Sequence, residues 1–159
     1  ETMEDKKAII ECIKDYIKKC PYLDELAKIK VDYLNVDSKE SECWSLEQLE
    51  IPNILGTNVL KTKTFRQCQF IIASRVFFNI IDDTQNINNL LTFEKIADWL
   101  YMNNAKRLLP TLNNGETPTS IEVMSGGCLY GTNKDNTVAR YQMTCKLLYE
   151  KKEESIWQS

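Results

Sequence analysis

Along residues 138–149 apolar and polar side chains alternate almost without interruption. Ala139, Tyr141, Met143, Cys145, Leu147 and Tyr149 fall in one register, and Arg140, Gln142, Thr144 and Lys146 in the other. Successive strand side chains point to opposite faces, so a period of two predicts a half-buried β-strand with a core face and a polar, hydrogen-bonding face. Residues 64–75 repeat the pattern less strictly: Cys68, Phe70, Ile72 and, just beyond, Val76 share a face that Arg66 begins. Residues 5–20 follow another period. Ile9, Cys12, Ile13, Tyr16, Ile17 and Cys20 recur at three- and four-residue steps, which predicts an amphipathic helix that Pro21 closes.

Ala27, Ile29, Val31 and Tyr33 alternate with Lys28, Lys30 and Asp32 and predict a first strand; residues 43–49 predict a short second one. Residues 52–57 carry breaker signals, and 59–63 read either as a bend into the strand from Thr64 or as one arm of a hairpin. In the region 82–109, Leu90, Phe93, Ile96, Ala97 and Leu100 form the stripe of a second helix. Either Thr92 is its N-cap, with Glu94 in the first turn where the helix dipole favours a carboxylate, or the segment from Gln85 is already helical. After Pro110, residues 113–116 predict a turn, and 119–123 open a strand that Gly126-Gly127 bulges or bends. Residues 131–136 return the chain as a hairpin into the last strand. The order predicts an α+β domain: a mostly antiparallel or mixed sheet of four to five strands with two main helices packed on one face. Residues 1–149 form this single domain, and 150–159 a charged tail carrying Trp157.

The 159 residues suit one domain, and a net charge of −3 argues against a nucleic-acid grip, which needs a concentrated basic surface. Histidine is absent, which removes the commonest general base and metal ligand. The six cysteines include no Cys-x-x-Cys pair, and Cys12, Cys68 and Cys145 fall on apolar faces, so they read as reduced core thiols. No apolar run reaches the roughly 20 residues that span a bilayer, and the start of the chain is polar; the expectation is a soluble, cytoplasmic protein without membrane contact. Asp82-Asp83 is the one acidic pair of catalytic appearance, but helix-terminus electrostatics explain it and no third ligand stands nearby. Ser125-Gly126-Gly127 lacks the order of a nucleophile elbow, and no lysine-serine or lysine-threonine follows the glycines as a phosphate loop requires. Trp44, Trp99 and Trp157 are scattered, so they predict core or interface anchors instead of a base-stacking platform. No catalytic residue, metal or cofactor is expected.

An ordered set of segments carries a resemblance. Cys20-Pro21-Tyr22-Leu23, then Phe65-Arg66-Gln67-Cys68-Gln69-Phe70 with Ala73-Ser74-Arg75, then Phe93-Glu94-Lys95-Ile96-Ala97-Asp98-Trp99-Leu100, and last Ala139-Arg140-Tyr141-Gln142-Met143-Thr144-Cys145, together resemble the minor capsid or tail terminator proteins of tailed phages and prophages of Gram-positive bacteria. The likeness runs over residues 19–149 and is weakest at 43–63. It implies a structural virion protein of the tail or neck, assembled in the bacterial cytoplasm as a homo-oligomeric, hexameric ring. Such a ring caps the tail tube, stops its polymerisation and docks the head-tail connector on its other side. A sheath protein becomes a further partner if the tail is contractile, and DNA passes through the lumen without specific binding. On this reading Arg66, Gln67, Arg140 and Gln142 form or buttress subunit contacts, because a closing ring needs heterologous surfaces. Gly126, Gly127, Asn133, Lys134 and Asp135 belong to a loop that reaches neighbouring rings, as does the tail from Glu150. A head-completion or neck connector protein is the alternative within the same virion; a small cytoplasmic enzyme and a binding adaptor are alternatives from other classes.

Overall fold

A computed structural model describes residues 6–23, 29–31, 43–77, 83–132, 134–135 and 137–153. The period-of-two segments become the two central strands of the sheet. β4 (Lys63–Phe77) and β6 (Val138–Lys152), in the numbering of strands along the chain, pair antiparallel over their whole length, from Lys63 opposite Lys152 to Phe77 opposite Val138. β5 (Glu116–Thr132) pairs antiparallel with β6 on one side. On the far side of β4 lie two strands in tandem: β2 (Cys43–Gln48) along residues 70–75 and β3 (Ile54–Thr57) along residues 64–66. β1 (Ile29–Val31) adds to β2 in parallel. The order is β1-β2-β4-β6-β5 with β3 off the path, a largely antiparallel mixed sheet in an α+β fold.

Every core-register residue of β6 is buried: Ala139, Met143, Cys145 and Leu147 are fully enclosed, and Tyr141 and Tyr149 nearly so. They join Phe70 and Ile72 of β4, Leu46 of β2 and side chains of both helices in one hydrophobic cluster. α1 (Ile9–Ile17) contributes Ile10, Ile13, Tyr16 and Ile17, while α2 (Asp83–Ala105) contributes Phe93, Ile96 and Leu100. The helices also meet directly, Tyr16 against Trp99 with ring centroids 5.2 Å apart. Burying these side chains is the main stabilising term, about 2 kcal/mol for each large one.

Several boundaries differ from the sequence expectation, each for a local reason. α1 gives way at its end to tighter turns, Lys19 N–H to Tyr16 O and Cys20 N–H to Ile17 O, which carry Cys20 into the core without a further helical turn. Thr92 is not an N-cap: α2 is continuous from Asp83, and the Thr92 hydroxyl donates back to Asn88 O at 3.1 Å. α2 also stops before Pro110. Leu108 N–H bonds Asn103 O and Arg107 N–H bonds Asn104 O, with Arg107 at φ 60°, so a Schellman motif ends the helix with arginine where glycine is usual. The supposed breaker segment 52–57 contains β3, and β6 runs to Lys152, past the boundary drawn at 149. Parts of the expected first strand, Asp82, Asn133 and the stretch 154–159 with Trp157 lie outside the described residues.

Candidate assembly surfaces

The polar register of β6 does not stand open to solvent as a free stripe. The Arg140 guanidinium grips Glu47 of β2 through two bonds, 2.9 Å to Oε1 and 2.6 Å to Oε2. Arg140 Nε also donates to Gln142 Oε1 at 3.2 Å, and the cation lies 5.4 Å from the centre of the Tyr130 ring. The Arg140 side chain keeps only 13% exposure and that of Glu47 25%. The pair bridges β2 and β6 across β4, on the face where Ser45, Ala73 and Arg75 are also buried. A bidentate, charge-assisted bond of this kind is directional, so it fixes the second face within one subunit. Arg140 and Gln142 therefore buttress the sheet.

Arg66 and Gln67 occupy the other end of β4, away from Arg140, so the structure does not bring the expected quartet together. Arg66 pairs opposite Tyr149 in the core register; its guanidinium donates to Glu153 Oε1 at 2.8 Å and its Nε to Thr64 Oγ1 at 2.9 Å. Thr64 in turn donates its hydroxyl to the same Glu153 oxygen at 2.9 Å. These bonds hold the Glu153 carboxyl below its ordinary pKa, the Thr64 hydroxyl first and Arg66 second. Gln67 works on the linker before β3: its backbone N–H bonds Asn53 O at 2.7 Å and its side-chain amide donates to Pro52 O at 3.0 Å. Both residues thus clamp the root of the β3–β4 hairpin.

The hairpin they clamp is the exposed apolar feature that sequence reading passed over. Asn58 closes its turn: Oδ1 accepts the N–H groups of Thr62 at 2.8 Å and Lys63 at 3.0 Å, and Nδ2 donates to Thr62 Oγ1 at 2.9 Å. Lys61 adopts φ 56°, and Asn58 N–H bonds Lys63 O across the turn. This rigid frame lifts Val59 and Leu60 into solvent at 96% and 77% exposure, above half-exposed Ile54 and Leu55. An asparagine four residues before a threonine, between two apolar pairs, was the available signal; the breaker residues at 52–57 masked it. Glu47 was invisible for a different reason, since it lies 93 positions from Arg140.

Gly126 and Gly127 are not loop residues. They sit inside β5, in the irregular stretch between Ser125 and Cys128 where pairing with β6 shifts register. A Cβ at Gly127 would collide with Phe93 of α2, so glycine is needed for strand and helix to approach. Lys134 and Asp135 do lie in the β5–β6 turn and are exposed. Of Cys12, Cys20, Cys68, Cys128 and Cys145, Cys128 alone is exposed; burial pushes the Cys68 thiol to about 11 and the Cys145 thiol to about 12, so both are inert packing groups. Among the described residues no group of three or more His, Cys, Asp and Glu is placed to hold a metal ion, and no helix is long and apolar enough to cross a membrane. No protein-family model and no curated protein matches the chain.

Proposed function

We propose that this protein is a tail terminator: a subunit of a ring, hexameric on the family resemblance, that caps the tail tube of a phage or prophage, stops its growth and offers the docking face for the head-tail connector. The observation that carries the reading is the hairpin tip. Val59 and Leu60 are held out of the fold by a hydrogen-bonded turn, and a rigid apolar projection is what a subunit made to be covered by another would carry. The ordered likeness over residues 19–149 supplies the kind of assembly.

The polar networks suit a structural part. Arg140 with Glu47 and Arg66 with Glu153 stiffen the sheet and the hairpin root, so contacts made at the tip are presented without ordering cost. The exposed turn at Lys134 and Asp135 is the candidate contact with a neighbouring ring, and net charge −3 suits a lumen through which DNA slides. The test is polymerisation of the cognate tube protein with and without this chain. Tubes that stop short, with this protein at one end only, support termination. Unchanged tube lengths refute it, and a location beside the portal in particles would favour the neck connector.

A further inference from the structure

We propose that the C-terminal turn of α2 is an edge guard: Asn104 and Arg107 occupy outward backbone groups of β5 and keep a second copy of the chain from adding its own β5 there. This role is independent of the terminator reading. β5 ends the sheet order, so strand pairing occupies only its β6 side. A 17-residue strand at a sheet edge presents a row of hydrogen-bonding groups that the same strand of another copy can match. Such a pair is isologous, because each copy offers the identical strand.

The guard sits where addition would be easiest. Register with β6 shifts between Pro118 and Ser120, between Val123 and Ser125, between Ser125 and Cys128, and between Leu129 and Gly131. Bulges twist an edge away from a flat partner, and Pro118 has no N–H to offer. The longest stretch of β5 left in unbroken register is 120–123. Within it Asn104 Oδ1 accepts the Ile121 N–H at 3.1 Å, and just before it the Arg107 guanidinium donates to Thr119 O at 2.7 Å. A donor and an acceptor that a new ladder would need are thereby taken, and the exposed Arg107 cation would meet its own counterpart on an approaching copy. The backbone of Arg107 points the same way. It holds φ 60°, a conformation that glycine adopts freely and other residues resist. Glycine would close α2 through the same two bonds, to Asn103 O and Asn104 O. What glycine lacks is the guanidinium that reaches Thr119, and that reach accounts for an arginine at this position.

Arg107→Gly removes one cap without spoiling the turn, since glycine suits the backbone there; Asn104→Ala removes the other at a helical position that alanine favours. The parent, both single variants and the double variant are compared as purified full chains, with melting curves to check that each folds. Sedimentation across a concentration series should show the double variant associating with itself roughly tenfold or more tightly than the parent does. Amide hydrogen exchange within 119–123 should slow as that association sets in. Arg107→Lys, which keeps a cation on a long stem, should behave as the parent. Should the double variant fail to fold, Arg107→Gly alone carries the same comparison. A variant that keeps the parent's mass overturns the guard, and faster exchange at 119–123 in it would show that the two bonds only brace β5 against α2. Association that leaves 119–123 unprotected overturns it as well, because the contact then lies elsewhere. Neither result touches the terminator reading, which tube lengths test separately.

Discussion

In β6, the core-register residues from Ala139 to Tyr149 are all buried, and on the other face Arg140 is bound to Glu47 and Gln142. In the β3–β4 hairpin the polar residues are bound up too, Asn58 with Thr62 and Lys63, yet the apolar ones stand outside. Both regions make these hydrogen bonds within the chain, β6 across the sheet to β2 and the hairpin inside its own turn. They differ in where the apolar surface goes: the central strand spends it on its own core, and the hairpin leaves it exposed to solvent. A polar face on a regular strand is thus weak evidence for a partner, whereas apolar side chains on a well-bonded turn are stronger evidence.

The contrast can be broken by truncating one residue in each region. Met143→Ala should cost about 4 kcal/mol in urea unfolding, from lost transfer energy and the cavity left behind, whereas Leu60→Ala should leave stability within about 0.5 kcal/mol and act on assembly alone. A large cost at Leu60 would mean that the tip packs within its own subunit. Gly127→Ala should come next, about 3 kcal/mol, because the added methyl must displace Phe93; the near-ultraviolet circular dichroism of the aromatic cluster should change with it. Arg140→Ala should cost about 2 kcal/mol by stranding the partly buried Glu47, and Glu47→Gln in that background should recover part of it.

The smallest effect is on acid sensitivity at the hairpin root. The Glu153 pKa is lowered on folding from its ordinary 4.5, so the folded state binds this proton less readily than the unfolded chain does. The contribution is complete above the ordinary value and is lost as the pH falls through the lowered folded one. Glu153→Gln should therefore flatten part of the decline in unfolding midpoint as the pH falls below the ordinary carboxylate value. An unchanged acid slope would show that the carboxylate does not brace the root.

Much of the fold was legible because it rests on period. The alternation of β6, the looser one of β4 and the stripe Phe93, Ile96, Leu100 each mark a face that the structure buries. Boundaries were less legible where a backbone motif decides them, as when Arg107 takes the left-handed conformation and ends α2 ahead of Pro110. The site was least legible. Arg140 and Arg66 were picked out as polar residues on strands, but their partners Glu47 and Glu153 lie 93 and 87 positions away, and only the fold shows that these charges are satisfied within the chain. Gly127 was read as a bulge or close approach and also placed in an inter-ring loop; the first holds, because the approach is to Phe93.

The most direct test of the terminator reading is to locate the chain in assembled particles by electron microscopy. The account predicts a single ring of copies on the last ring of the tail tube, with the Val59–Leu60 tip of each copy covered by another subunit. Density for the chain against the portal instead, or none in the particle, would contradict it.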